Sequence, residues 1–284
     1  MADLVVVGSL NMDLVVRCTR IPIPGETVLG SSFQSLPGGK GANQAYAAAM
    51  LSRGKVAMIG RVGCDAFGEE LKLNLERAGV DVGQVIAVEG VATGIATITV
   101  DATGQNSIVV TSGANFCWDM DRLEGLRETF RGAKFALFQL ETPLDVVMHL
   151  MRMAKQENVT TILDPAPAQV LPEELLALVD LITPNETEAA IVGTLDDRKV
   201  LLKLGEKGSR FGDIAVDAIA VKAVDTTAAG DTYNAGLAVG LSEGMDMSAA
   251  MQFASVAAGL AVTQMGAQSS APTRAAVDAY LLSR

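Results

Sequence analysis

The sequence predicts an α/β fold, with a mostly parallel sheet covered by helices on both faces and a smaller β sheet set apart from it. Three observations carry this reading. Short, almost continuously apolar runs alternate with helical stretches, which is how strands buried on both faces read. Two stretches, 14–33 and 93–111, break the alternation with β-type residues punctuated by Gly and Pro. The last third is helical throughout.

Taken in order, Leu4 to Val7 is a short apolar strand, Ala42 to Leu51 an Ala-rich helix, and Lys55 to Gly60 a second strand. Phe67 to Ala78 is an amphipathic helix closed by Gly79. Phe135 to Leu140, Thr160 to Leu163, Leu178 to Thr183 and Val200 to Leu204 are further buried strands. Helices over Pro143 to Glu157 and from Pro172 to about Leu176 lie between them. Gly94 to Val100 and Ser107 to Val110 flank Ala102-Thr103-Gly104 as a hairpin. Strands set apart in this way need another surface to cover them, either a substrate cleft or a second subunit. They are therefore expected to form a lid, and the lid to dimerise. Ala229 to Leu241, Met247 to Val262 and Thr273 to Leu282 are helices, and the Met residues among them are core filler. Ala189 to Lys199 only just spans the ~10–12 residues that a parallel crossover needs.

The 284 residues are 49% hydrophobic and 19% charged, enough for a sizeable core and no case for disorder. A net charge of −11 argues against a nucleic-acid binder, whose affinity comes from clustered Lys and Arg. No apolar run reaches the ~18 residues of a membrane span, so neither nucleic acid nor membrane is an expected partner. Cys18, Cys64 and Cys117 offer neither a disulfide framework nor zinc spacing and read as small core residues. A cytoplasmic protein is expected.

Several chemistries are excluded by what is missing. His149 is the only histidine and sits in an apolar helix, so it reads as a structural or surface residue and no His-based triad is supported. Neither a G-x-x-x-x-G-K-[ST] loop nor a G-x-G-x-x-G after the first strand is present. What remains are two small-residue segments. In Val224-Asp225-Thr226-Thr227-Ala228-Ala229-Gly230-Asp231-Thr232 a helix begins among small residues. The N–H groups of Ala228 to Asp231 can converge on an anion there, with Asp231 as a general base beside it. Taken alone, Asp231 is equally an ordinary acidic residue of a first helical turn. In Leu36-Pro37-Gly38-Gly39-Lys40-Gly41-Ala42-Asn43-Gln44 the glycines permit close backbone approach to a ligand. Alone it is only a turn.

With Gly8-Ser9-Leu10-Asn11-Met12-Asp13 and Asn185-Glu186-Thr187-Glu188, these segments together resemble the ribokinase-like (phosphofructokinase-B-type) sugar kinases, from Leu4 to about Tyr280. The resemblance implies a single three-layer α/β sandwich over 1–284, with lid strands from about 14–33 and 93–111. It implies ATP-dependent phosphorylation of the 5-hydroxyl of D-ribose, with D-ribose 5-phosphate and ADP as products. Kinases for deoxyribose, fructose or adenosine, and a sugar binder with impaired turnover, remain alternatives.

Residue by residue, Asn11, Asp13, Gly38, Gly39, Lys40, Asn43 and Glu141 match the sugar contacts. Asp231 matches the catalytic base, which also touches the sugar, and Ala228, Ala229 and Gly230 match the anion hole. Asn185, Glu188, Lys203, Gly205, Ala229, Gly230 and Ser255 fall on the nucleotide side, Glu188 as the Mg²⁺ residue. Asp225, Thr227, Ala261, Gln264, Gly266 and Ser270 fall where the family binds K⁺. The implied cofactors are ATP, Mg²⁺ and K⁺, and the implied assembly is a homodimer through the β lid. Lys203 stands where the family pattern carries Thr, and Ser255 where His or Asn often packs near the adenine. The segment 209–220 corresponds to a strand pair.

Overall fold

The computed structural model describes residues 1–283. Its centre is β1 (Leu4–Val7), four residues with no solvent contact to speak of. Leu4 and Val6 join one apolar cluster and Val5 and Val7 the other, as the period of two demands. Around β1 lie β4 (Val56–Gly63), β5 (Val80–Val88), β8 (Phe135–Phe138), β9 (Thr160–Leu163) and β10 (Leu181–Ile182). They form one parallel sheet in the order β10-β9-β8-β1-β4-β5.

One apolar cluster joins this sheet to α1 (Lys40–Leu51), α2 (Ala66–Arg77), α7 (Ala229–Ser242), α8 (Met247–Ala261) and α9 (Arg274–Leu282). The other joins the opposite face to α3 (Arg127–Phe130), α4 (Leu144–Gln156) and α5 (Glu173–Leu178). Helix, sheet and helix thus make the three layers that the sequence predicts.

The lid is a four-stranded sheet ordered β3-β2-β6-β7, from β2 (Asn11–Cys18), β3 (Gly30–Gly38), β6 (Gly94–Val100) and β7 (Asn106–Thr111). β6 and β7 form the expected antiparallel hairpin, and β2 lies parallel to β6. The first lid segment is longer than 14–33: pairing begins at Asn11 and ends at Gly38, with no strand between Cys18 and Gly30.

Four expectations need correction, and the minimal crossover stands as read. β5 was not anticipated, because Asp81, Gly83 and Gln84 interrupt its apolar alternation. The strand expected over Leu178 to Thr183 is only two residues long, since Leu178 still belongs to α5. β11 (Leu201–Lys203) leaves the parallel sheet and pairs antiparallel with β12 (Ser209–Phe211), which pairs with β13 (Ile214–Val216). Single bridges, Ile182 to Val200 and Asn185 to Lys203, tie this third sheet to β10. The crossover before β11 is minimal, with α6 (Glu186–Val192), Gly193 and one 3-10 turn. Of the cysteines only Cys18 is buried, while Cys64 is exposed and Cys117 half-buried.

His149 lies on the surface side of α4, its Nε2 3.5 Å from Glu124 Oε1. No helix among the described residues is long and apolar enough to cross a membrane.

Candidate active site

The site lies at the carboxyl ends of the parallel strands, where an open α/β sheet leaves a crevice between diverging connections. β1 runs through Gly8, Ser9 and Leu10 directly into β2, and β3 returns so that Gly38 pairs with Asn11. Gly39 turns the chain into α1 at φ 88°, a conformation L side chains rarely adopt. Gly41 then packs on the β1–β2 connection; a Cβ there would meet the Gly8 carbonyl carbon and Ser9 nitrogen at 2.6 Å. The N-terminus of α1 is thereby pressed against the end of β1.

Asp231 sits in the first turn of α7 and is only 6% exposed. Asn43 Nδ2 donates to its Oδ2 at 3.0 Å, and Gln44 Nε2 to its Oδ1 at 3.0 Å. Burial pushes its carboxyl up to about 6; Lys40 opposes the shift, Asp164 adds to it, and the Asn43 and Gln44 amides oppose it. That is the setting of a carboxylate that takes up a proton close to neutral pH.

The turn before Asp231 leaves donors free. Ala228 caps the helix at φ 56°, one of two non-glycine residues with positive φ among the described residues. Ala229 N–H is directed to Thr226 O at 3.2 Å. The N–H groups of Ala228, Gly230 and Asp231 have no partner among the described residues, so they, and not Ala229, are the donors left for the expected anion hole.

On the lid side, Asn11 Oδ1 accepts from Asn115 Nδ2 at 2.8 Å, and Asn115 is itself fixed to both polar atoms of the Leu10 backbone. Glu141, in the connection after β8, accepts from Ser9 Oγ and from Lys40 N–H at 3.1 Å. Asp13 lies against Gly38, and its carboxyl is pushed up to about 7 by burial first, then by Glu141 and Asp231. Burial disfavours the Lys40 ammonium, but Asp231, Asp164, Glu141 and Glu188 outweigh it and hold its pKa above the ordinary value. Asn11, Asp13, Gly38, Gly39, Lys40, Asn43, Glu141 and Asp231 are thus brought to one place. It is a pocket of amides and carboxylates around the Lys40 ammonium.

On the far side of α7 a cleft of about 580 Å³ is lined by Lys203, Gly205, Ala229, Gly230 and Ser255. Its other walls are largely apolar, including Ile219, Val221 and Val262. Ser255 lies in the wall, but its hydroxyl donates to Asp217 O at 3.0 Å. Asn185 and Glu188 form a capping box at the start of α6, each side chain taking the other's backbone N–H at 2.8 Å. Asn185 therefore has a structural role visible here, and Glu188 reaches the pocket through its field on Lys40. A second, shallower cleft of about 430 Å³ between α2 and β5 contains none of these residues.

Asp225 draws two loops together. Its Oδ1 accepts from Thr227 N–H at 2.9 Å and from Thr227 Oγ1 at 2.6 Å; its Oδ2 accepts from Gly266 N–H at 2.9 Å. Burial would raise its pKa, but these hydrogen bonds hold it below the usual carboxylate value. Gly266 and Thr227 thus meet at Asp225. Ala261 O accepts from Gln264 N–H, Gln264 is exposed, and Ser270 Oγ donates to Ala267 O. Those three have other contacts in this structure.

Five residues of the pocket escaped the sequence reading: Ser9, Gln44, Asn115, Asp164 and Gln268. Gln268 donates to Asn43 Oδ1 at 3.2 Å, which orients the Asn43 amide toward Asp231. Asp164 had a usable signal, an acidic residue directly after a buried strand of a parallel sheet. Asn115 lies in a 3-10 turn with no pattern around it.

The geometry pairs a buried carboxylate with helix-terminal amides that have no partner among the described residues, between two pockets, one polar and one largely apolar. A protein-family model described as pfkB family carbohydrate kinase matches residues 1–274. The chain belongs to the pfkB family. As a pfkB carbohydrate kinase it is a phosphotransferase with an alcohol group as acceptor. A ribokinase from Haemophilus influenzae is 41% identical over 293 aligned positions, covering 95% of each chain. That alignment is longer than the 284 residues here, so the relative holds residues this pfkB chain lacks. The structure of a ribokinase from Thermotoga maritima is similar at a TM-score of 0.90 and 35% identity, covering 99% of this chain and 100% of that one. An Arabidopsis thaliana ribokinase complexed with ribose and ATP is similar at 0.88 and 35%, covering 99% and 98%.

Proposed function

We infer that the protein transfers the γ-phosphoryl group of ATP to the 5-hydroxyl of D-ribose, giving D-ribose 5-phosphate and ADP. The observation that carries this reading is Asp231, a buried carboxylate held by Asn43 and Gln44 beside unpartnered N–H groups of its own helix. Similarity to ribokinases, one of them complexed with ribose and ATP, supports ribose as the acceptor.

In this reading Asn11, Asp13, Gly38, Gly39, Lys40, Asn43 and Glu141 hold the sugar hydroxyls and orient the primary one toward Asp231. A carboxylate oxygen of Asp231 takes the proton from the 5-hydroxyl as its oxygen bonds to phosphorus. The bond from phosphorus to the bridging oxygen breaks, and ADP leaves with that electron pair. The N–H groups at the start of α7 stabilise the charge on the phosphoryl oxygens. The apolar walls of the cleft, with Gly205 and Ser255, receive the base of the nucleotide.

No group of three or more His, Cys, Asp or Glu among the described residues gathers as a metal cage. Glu188 is the residue that would hold Mg²⁺, and the ion would supply neutralisation of phosphate charge. The oxygen donors of Asp225, Thr227 and Gly266, which meet in this structure, suit K⁺, which would stiffen the loop leading into Ala228; Ala261, Gln264 and Ser270 make other contacts. The exposed apolar residues of the lid, Val16, Phe33, Ile108, Val109 and Val110, support a homodimer through that sheet.

Phosphorus NMR of the product tests the acceptor position. The reading requires the ribose 5-phosphate resonance; phosphate on any other hydroxyl contradicts it.

A further inference from the structure

Lys203 ends β11 and faces the nucleotide cleft, its side chain 13% exposed. Its Nζ lies 2.9 Å from Asp164 Oδ1, and Asp164 is buried at the end of β9. The second Asp164 oxygen accepts from Gln44 Nε2 at 3.1 Å, and the same nitrogen stands 3.0 Å from Asp231 Oδ1. Gln44 Oε1 in turn accepts from Gln139 Nε2 at 2.6 Å, which fixes which way the Gln44 amide points. A methyl built on Gly230 would lie 3.6 Å from Lys203 Nζ, so the ammonium stands at the first turn of α7, beside the unpartnered N–H groups.

A lysine ammonium has three donors, and Asp164 engages one of them. The rest of the head remains available to an anion at the start of α7. In phosphoryl transfer, charge is spread over the three equatorial oxygens of the moving group, and a fixed cation beside them lowers the barrier. Because one Gln44 nitrogen contacts both Asp164 and Asp231, a single side chain sets the spacing between cation and base.

We propose that Lys203 is a catalytic cation whose ammonium binds the phosphoryl group during transfer, and that Asp164 and Gln44 are positioning residues that fix it relative to Asp231. This rests on the phosphotransfer reading above and extends it from the base to the cation.

The test is steady-state kinetics of wild type, Lys203→Met, Lys203→Arg, Asp164→Asn and the Lys203→Met/Asp164→Asn pair, with calorimetric ribose binding to each. Lys203→Met should lower kcat by about 10²–10³-fold, with KM for ribose changed by less than about twofold if, as proposed, the lost contact belongs to the transition state. Lys203→Arg should recover about tenfold of that loss, since the charge is kept but its shape is not. Asp164→Asn should lower kcat by about tenfold alone and add almost nothing to Lys203→Met, because no cation remains to be positioned. If Lys203→Met fails to fold with Asp164 left unpaired, the double variant removes the buried charge and should show the same loss. A kcat within about twofold of wild type in either, with only KM for MgATP raised, overturns the proposal, because such a contact is made equally in the ground state. Strictly additive losses overturn the positioning roles. A silent wild type overturns the phosphotransfer reading and this proposal with it, whereas an active wild type beside an active Lys203→Met overturns this proposal alone.

Discussion

Asn43 Nδ2 lies 3.0 Å from Asp231 Oδ2, so the helix that follows the first glycine turn holds the carboxylate that opens the long helix α7. Segments 188 residues apart in the chain thus meet in one hydrogen bond. Gln268 fixes the Asn43 amide from behind, and Gln44 occupies the other Asp231 oxygen. With both oxygens oriented, the carboxylate is directed at whatever fills the polar pocket.

Asp231→Asn keeps the shape and hydrogen-bonding size of the side chain and removes the base. Turnover should fall by about 10³-fold or more, while calorimetric ribose binding changes little. Near wild-type ADP release by this variant would remove Asp231 as the base.

The acid limb of the pH profile follows from the same residue. Asp231 must be ionised to accept the proton and is pushed up to about 6. kcat/KM for ribose should therefore fall about tenfold per pH unit below that value. Stability runs the other way. Asp13 is pushed up to about 7 and Asp231 to about 6, from 3.8 in the unfolded chain. The folded protein holds protons that the unfolded chain has released, so their contribution is complete below the unfolded value and is lost as pH rises through 6 and 7. Carboxylates held low, such as Asp65 and Asp180, lose their contribution only on the acid side of 3.8. Ligand-free protein should lose on the order of 4 kcal/mol between pH 5 and 8. Asp13→Asn should flatten that decline, as read by denaturant melts.

Asp225→Ala releases Gly266 and Thr227 together. Stimulation of turnover by K⁺ should be lost, with basal activity reduced about tenfold as the loop into Ala228 loosens. A variant with an intact K⁺ response would move the cation site elsewhere.

Val109 is 63% exposed on β7, an edge strand of the lid. Val109→Lys places a charge in the middle of the proposed dimer face. Sedimentation should then report a monomer where wild type is a dimer, and an unchanged dimer would exclude this face.

How much of this was legible in the sequence depended on whether a residue acts locally or across the fold. β1, α1, α2 and β9 follow from runs and periods that any short window contains. β11 was legible as a strand but not as a member of the third sheet, since an apolar run specifies burial and not its pairing partner. β5 was hidden because Gly83 and the polar residues beside it break the period. The same divide runs through the pocket. Asp231 and Asn43 sit in small-residue segments that stand out, whereas Asp13 was reached only through the family resemblance. Gln44 looks like any polar helix residue until the packing of α1 on β1 turns it toward Asp164 and Asp231. Lys203 and Asp164, 39 residues apart, give no hint in sequence that they form a pair.

The central claim is tested most directly by ADP release from MgATP over ribose, deoxyribose, fructose and adenosine, with and without K⁺. Ribose-dependent release, increased by K⁺ and exceeding that of the other three acceptors, is the predicted result. Folded protein of verified mass that binds ribose but releases no ADP with any acceptor would contradict the claim and leave a sugar-binding member of the family.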